Sequence, residues 1–114
     1  MPAFKVENEA KMQTKKMKKL VAKITDRKNL VWVPKEDVEK LLKLGNEIRF
    51  TPKKNARAKG ALICVEGGPK MTLSDIHNIG DRITKPLPKN AEIIWTAKVT
   101  ANKKSTSVDV VYVY

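Results

Sequence analysis

The chain has one cysteine, Cys64, and one histidine, His77, among 114 residues. One cysteine excludes an internal disulfide, and one Cys with one His excludes a zinc site of the ordinary four-ligand kind. Glycine is scarce as well, five residues in all, and neither the G-x-x-x-x-G-K-S/T nor the G-x-G-x-x-G phosphate-binding pattern occurs. No apolar run exceeds a few residues, so no segment is long enough to span a bilayer. The opening stretch MPAFKVENEAK lacks the apolar core of a secretory signal. Carboxylates are few, 12 Asp and Glu against 24 Lys and Arg, for a formal net charge of +12. At 41% hydrophobic residues the chain can still close a modest core. We therefore expect one soluble, cytoplasmic domain over residues 1–114. It should have no metal, no cofactor, no small-molecule substrate, no membrane insertion and no enzymatic activity.

The charge is unevenly placed. Residues 1–60 carry 17 Lys and Arg against 7 Asp and Glu, a net of +10, whereas residues 61–114 carry 7 against 5, a net of +2. Two clusters dominate: Lys15, Lys16, Lys18 and Lys19 with Lys23 beyond, and Lys53, Lys54, Arg57 and Lys59. Such asymmetry points to a polyanionic partner, whether nucleic acid, an anionic membrane surface or an acidic protein tail. The ordinary alternative is a solvated face of a Lys- and Glu-rich chain, since a field without a docking geometry is not a site. Lysines on phosphates would give sequence-independent, salt-sensitive binding. No helix-turn-helix, RRM or zinc-finger signature adds base readout.

Residues 10–25 read as an amphipathic helix, with Met17, Leu20, Val21 and Ile24 at i, i+3, i+4 and i+7 and lysines on the other face. LVWV at 30–33 reads as a strand. Pro34, Glu36 and Asp37 open a second helix with Val38, Leu41 and Leu42 inward and Gly45 as its stop. EIRFT at 47–51 is a further short strand, and the basic stretch after it an exposed loop. GALICV at 60–65 is apolar throughout, as in a strand buried on both faces. Thr72 and Asp75 form a capping-box pair for a helix over 72–84, with Leu73, Ile76, Ile79, Gly80 and Ile83 inward. Strands follow at 91–99 and 107–114. Strand, helix, strand, strand predicts a parallel pair by crossover and then an antiparallel hairpin. The fold class is α/β (α+β): a single-domain sandwich, a mixed four-stranded sheet with helices packed on it. Ile63, Val65, Ile94, Val110 and Tyr112 should be buried.

Little here could carry chemistry. His77 has no Ser, Cys or second carboxylate near it in sequence and reads as structural. Cys64 reads as a small core residue with an inert thiol. Gly67 and Gly68 ahead of a helix could cradle an anion, although a tight turn is the simpler reading. Trp32 and Trp95, each flanked by strand-forming residues, are more simply core than base-stacking platforms.

Residues 60–99, from GALICVEGGPKMTLSDIHNIGDRIT to AEIIWTAKV, resemble the C-terminal domain of the FtsZ/tubulin family, most closely its archaeal FtsZ and CetZ branches. The carriers are the strand ending in Gly67–Gly68, the helix opening Met71-Thr72-Leu73, the IGDRIT stretch at 79–84 and the strand AEIIW at 91–95. SVDVVYVY stands where the family has its closing strand. AFKV with the helix from Glu9 to Thr25 is similar to the family's preceding strand–helix pair. Residues 30–59, with their basic loop, read as an insertion where the family has a short connection, and Thr96 stands where its strand usually ends in glycine. The family's GGGTGTG loop and its N-x-D-x-x-D acidic loop have no counterpart here, so no catalytic residue carries over. The resemblance implies the four-stranded fold and a role in protein–protein assembly, with a filament of that superfamily or a second copy of the chain as partner. Fold alone does not prove function.

Overall fold

Residues 61–65 fix the centre of the molecule. In the computed structural model, which describes residues 15–114, all five are buried in an inner strand of a four-stranded mixed sheet. The described part of helix α1 covers residues 15–24. After it come α2 (Lys35–Leu42), β1 (Ile48–Arg49), β2 (Gly60–Gly67), α3 (Leu73–Thr84), β3 (Glu92–Val99) and β4 (Ser107–Val113). The expected strand at the AFKV segment and the first turn of the helix begun at residue 10 lie outside the described residues.

Alternation along β2 sends its side chains to two separate cores. Leu62 and Cys64 pack with Leu20 and Ile24 of α1, Val38 and Leu41 of α2, and Val111 of β4. Ile63 and Val65 face the other way, onto Ile76 of α3 and Ala97 of β3. The sheet therefore lies between α1 and α2 on one face and α3 on the other. Among the described residues, no helix is long and apolar enough to cross a membrane.

The strand order is β1-β4-β2-β3. β2 runs parallel to β3, from Gly60 beside Glu92 to Gly67 beside Val99, as the crossover through α3 predicts. β4 does not form the expected hairpin with β3. It pairs antiparallel with the opposite edge of β2, Ile63 against Val110, and β1 adds to its outer side. Two features account for this. The outer edge of β3 is taken at Ala97, which exchanges two backbone hydrogen bonds of 3.2 Å with Val31. Residues 100–106 cross the end of β2 instead, where the Thr100 N–H donates to the Gly67 carbonyl at 2.9 Å. Seven residues easily span the roughly 10 Å between strands two positions apart.

The helix α3 carries the expected capping box: the Thr72 hydroxyl accepts from the Asp75 N–H at 3.1 Å, and the Asp75 carboxylate accepts from the Thr72 N–H at 3.0 Å. Ile76 is 2% exposed and Ile79 and Ile83 are half-buried, but Leu73 is 58% exposed. The Met71 side chain lies over Gly67 at the strand end and packs on that core. The LVWV segment is not a strand. Val31 alone pairs with the sheet before the chain turns at Pro34 into α2, leaving Leu30 and Trp32 exposed. Trp32 is thus a surface residue, its ring 5.3 Å from the Arg27 guanidinium. Ile63 and Val65 are buried as expected, whereas Ile94, Val110 and Tyr112 are half-buried. Ile94 sits on an edge strand, and β4 lies on the side of β2 away from β3, beyond the full cover of α3.

Residues 30–59 contribute to the core: Val38 and Leu41 are fully buried against β2 and β4. Gly45, past the end of α2, lies against the Tyr114 carbonyl, where a Cβ would overlap it. That carbonyl accepts from the Asn46 and Glu47 N–H groups at 2.7 and 3.0 Å.

Ile76→Ala should cost about 2–4 kcal/mol in urea unfolding, and Leu73→Ala less than about 1 kcal/mol, because only the first leaves a cavity. A Cβ at Gly80 meets nothing within 4 Å, so Gly80→Ala should stabilise by about 0.5–1 kcal/mol by restoring helix propensity. Gly68→Ala should destabilise, because its Cβ would strike the Lys103 carbonyl.

Candidate interaction site on the basic face

The apolar stripe of α1, with Leu20 and Ile24 buried and Met17 and Val21 half-buried, fixes how its lysines are displayed. Lys15, Lys16, Lys18 and Lys19 are exposed, and Lys23 is half-buried. Lys16, Lys19 and Lys23 fall on one flank of the helix. With Leu20, Phe50 and Asp109 they line a groove of about 170 Å³. The Lys16 ammonium sits 4.1 Å over the centre of the Phe50 ring, a cation–π contact that joins α1 to the segment after β1.

Lys23 is held against the sheet. Its ammonium pairs with the Glu66 carboxylate and lies 3.5 Å from Asp109 Oδ2. Glu66 also accepts from the Thr100 hydroxyl at 2.7 Å. Hydrogen bonds from Lys23 and Thr100 hold the Glu66 carboxyl below the ordinary 4.5. Burial pulls Lys23 down, but the hydrogen bond to Glu66 and the surrounding negative charge outweigh it and leave the ammonium above 10.5. The Lys23 ammonium thus ties α1 to β2 through Glu66 and to β4 through Asp109, and Glu66 links them to the 100–106 crossing.

The second cluster is dispersed. The Lys53 ammonium is 3.3 Å from Glu47, and the Lys53 N–H donates to the Tyr114 hydroxyl at 2.7 Å. Arg57 opens onto a separate cleft of about 550 Å³ formed with residues 86–90. The backbone of Lys59 holds the start of β2 between its neighbours, donating to Val113 at 2.6 Å and accepting from Glu92 at 3.0 Å. Lys54 is exposed. The groove therefore draws on the first cluster; Phe50 alone carries it toward the second.

The remaining candidates have structural surroundings. The Lys103 carbonyl stands where a Cβ on Gly68 would lie, an oxygen where an anion would need a donor. The N-terminus of α3 already holds the Asp75 carboxylate, which backbone and hydroxyl hydrogen bonds from Thr72 keep below the usual range. Cys64 is buried, and burial pushes its thiol up, against reactivity. Fully buried Thr96 is its register partner. His77 is exposed, its ring 6.1 Å from that of Trp95, which packs onto the α3-side core. Among the described residues no three His, Cys, Asp or Glu side chains gather as a metal site would need. The participants not foreseen were Phe50, Glu66 and Asp109. Asp109 shares the strand parity of buried Val111 and Val113, and Glu66 that of buried Leu62 and Cys64; carboxylates at those parities are the available sign of a cation opposite.

A family model described as the FtsZ family, C-terminal domain, matches residues 53–113. A cell division protein FtsZ 2 from Methanocaldococcus jannaschii is 50% identical over 42 residues, which cover 37% of this chain and 11% of that protein. The protein of the same name from Halobacterium salinarum is 38% identical over 47 residues, 41% of this chain and 12% of its own length. Among solved structures, an empty FtsZ dimer from M. jannaschii aligns with 98% of this chain at a TM-score of 0.62 and 28% identity, covering 39% of its own chain. A mutant FtsZ from the same organism aligns at a TM-score of 0.61 and 27% identity, covering 40% of its chain. The chain thus spans about a tenth of the relatives matched by sequence and two-fifths of the matched structures.

The Lys23–Glu66 pair sets a pH dependence. The Glu66 carboxyl is lowered from 4.5, so its contribution is complete above that pH and is lost as pH falls through the lowered value. Lys23 is raised from 10.5, so its contribution holds below that pH and is lost as pH rises through the raised value. Glu66→Gln should cost about 1–2 kcal/mol near neutrality. In urea unfolding, the gap between native and variant should narrow as pH falls below 4.5.

Proposed function

Because the chain belongs to the FtsZ family through that family's C-terminal domain, we propose that it is a non-catalytic assembly module of a cell-division or cytoskeletal system in the cytoplasm. It acts by protein–protein contact, docking to an FtsZ/tubulin-type filament or to a second copy of itself. The observation that carries this reading is that 98% of the chain aligns with a solved FtsZ structure of which it covers 39%. A second observation supports the non-catalytic part: the two places best suited to a phosphate, the Gly67–Gly68 turn and the α3 N-terminus, are filled by the Lys103 carbonyl and the Asp75 carboxylate. No comparable observation favours a nucleic-acid partner. Lys23 and Lys53 are engaged by carboxylates, and Arg57 faces another cleft.

Co-sedimentation with preformed FtsZ filaments, alongside sedimentation equilibrium of the chain alone, tests the reading. The chain should pellet with filaments or self-associate as concentration rises. A strictly monomeric chain that stays in the supernatant would overturn it. Calorimetric titration with GTP and magnesium should show no site of micromolar affinity, and a guanine-specific site in that range would overturn the non-catalytic assignment.

A further inference from the structure

The basic face of α1 carries more charge than the fold consumes. Among the described residues, Lys15, Lys16, Lys18 and Lys19 have no carboxylate within ion-pair distance, whereas Lys23 and Lys53 do. Lys16 and Lys19 line the groove together with Leu20, Lys23, Phe50 and Asp109. We propose that this groove docks a short acidic segment of a partner protein that carries one apolar anchor residue. The partner class rests on the assembly reading; the site and its chemistry rest on the groove.

Three features select such a segment. Size comes first: a cavity of about 150 Å³ accommodates a benzene-sized group, so this groove of about 170 Å³ suits one leucine- or phenylalanine-sized side chain. Charge is second, because the groove is not uniformly positive. Asp109 lines it beside Lys23, whose ammonium also pairs with Glu66, while Lys16 and Lys19 line the rest with no carboxylate of the described residues within ion-pair distance. A uniform polyanion meets repulsion at the Asp109 end. A peptide with its carboxylates at the Lys16–Lys19 end and an uncharged anchor at the other meets none. Spacing is third: helix positions three apart lie about 5–6 Å apart at Cβ, close to the roughly 6.6 Å between alternate residues of an extended strand. Two acidic residues separated by one can thus reach Lys16 and Lys19 together.

The test uses fluorescence anisotropy with a labelled octapeptide in which two Glu, one residue apart, precede a single Leu. Controls are the same peptide with Ser for Leu and a labelled single-stranded DNA octamer. The Leu peptide should bind saturably, and the Ser peptide should bind at least about fivefold more weakly. Lys16→Gln with Lys19→Gln should weaken the Leu peptide at least about fivefold. Lys85→Gln with Lys89→Gln, the same change in charge away from the groove, should move it less than about twofold. Equal binding of the Ser peptide, equal loss in both double variants, absence of saturation, or tighter binding of the DNA octamer that the groove variant abolishes would each overturn the proposal. If the native chain pellets with filaments but binds no peptide, the groove alone fails. If it binds the peptide but neither pellets nor self-associates, the assembly reading alone fails.

Discussion

Burial of β2 on both faces is the constraint from which the architecture follows. Leu62, Ile63 and Val65 are each at most 1% exposed. Removing such side chains from water is worth about 1.5–3 kcal/mol apiece, so three contribute on the order of 5–9 kcal/mol, comparable with the net stability of a small domain. A strand this apolar needs cover on both sides. Leu20, Ile24, Val38 and Leu41 supply one cover and Ile76 the other. It also needs hydrogen-bonded neighbours on both edges. β3 provides one through the α3 crossover and β4 the other.

Placing β4 on the far side of β2 from β3 forces residues 100–106 across the end of β2, and this gives Gly67 and Gly68 their role. Neither has a positive φ; among the described residues only Asn55, at 59°, does. Their use is space. Gly67 leaves room for Met71 above it, and Gly68 leaves room for the Lys103 carbonyl. The same crossing delivers Thr100 to Gly67 through its N–H and to Glu66 through its hydroxyl. A glycine pair before a helix, which in a phosphate-binding protein would expose backbone N–H groups to a ligand, is here closed by the chain itself.

Local chemistry was legible where its signals were strong and non-competing. The Thr72/Asp75 box, the spans of α2, α3, β3 and β4 to within a residue or two, and the inner position of β2 all follow from propensity and periodicity. Which edge β4 would choose does not. Its alternation specifies a face, and either edge of a sheet presents the same faces; the Val31–Ala97 pair and the length of the 100–106 crossing decide it. Leu73 failed for a related reason. Helical spacing puts it on the inward stripe, but the stripe extends only as far as there is sheet beneath, and Met71 already covers that end. LVWV has strand propensity in three of its four residues, yet Pro34 and the buried stripe of α2 draw the chain away after one pair. In the site, the lysine clusters were plain as composition. Their division between groove, ion pair and separate cleft depends on Phe50, Glu66, Asp109 and residues 86–90, all distant in sequence.

The ion pair at Lys23 joins the fold to its surface. Two strand carboxylates, the largely covered Glu66 and the half-exposed Asp109, lie on the helix-facing side of the sheet, and one lysine of α1 answers both. Its place on the helix is therefore fixed by the sheet, and with it the rotation of α1 about its axis. Leu20 and Ile24 agree with that rotation, since both are buried in the same core. Given it, Lys16 and Lys19 must border the groove beside Phe50, and Lys15 and Lys18 must stand clear in solvent. The positive face is thus displayed in a set direction, by a lysine that is itself not free to bind anything else. Asp109, one of the two carboxylates that neutralise Lys23, also lines the groove, and it gives an otherwise general cationic surface polarity.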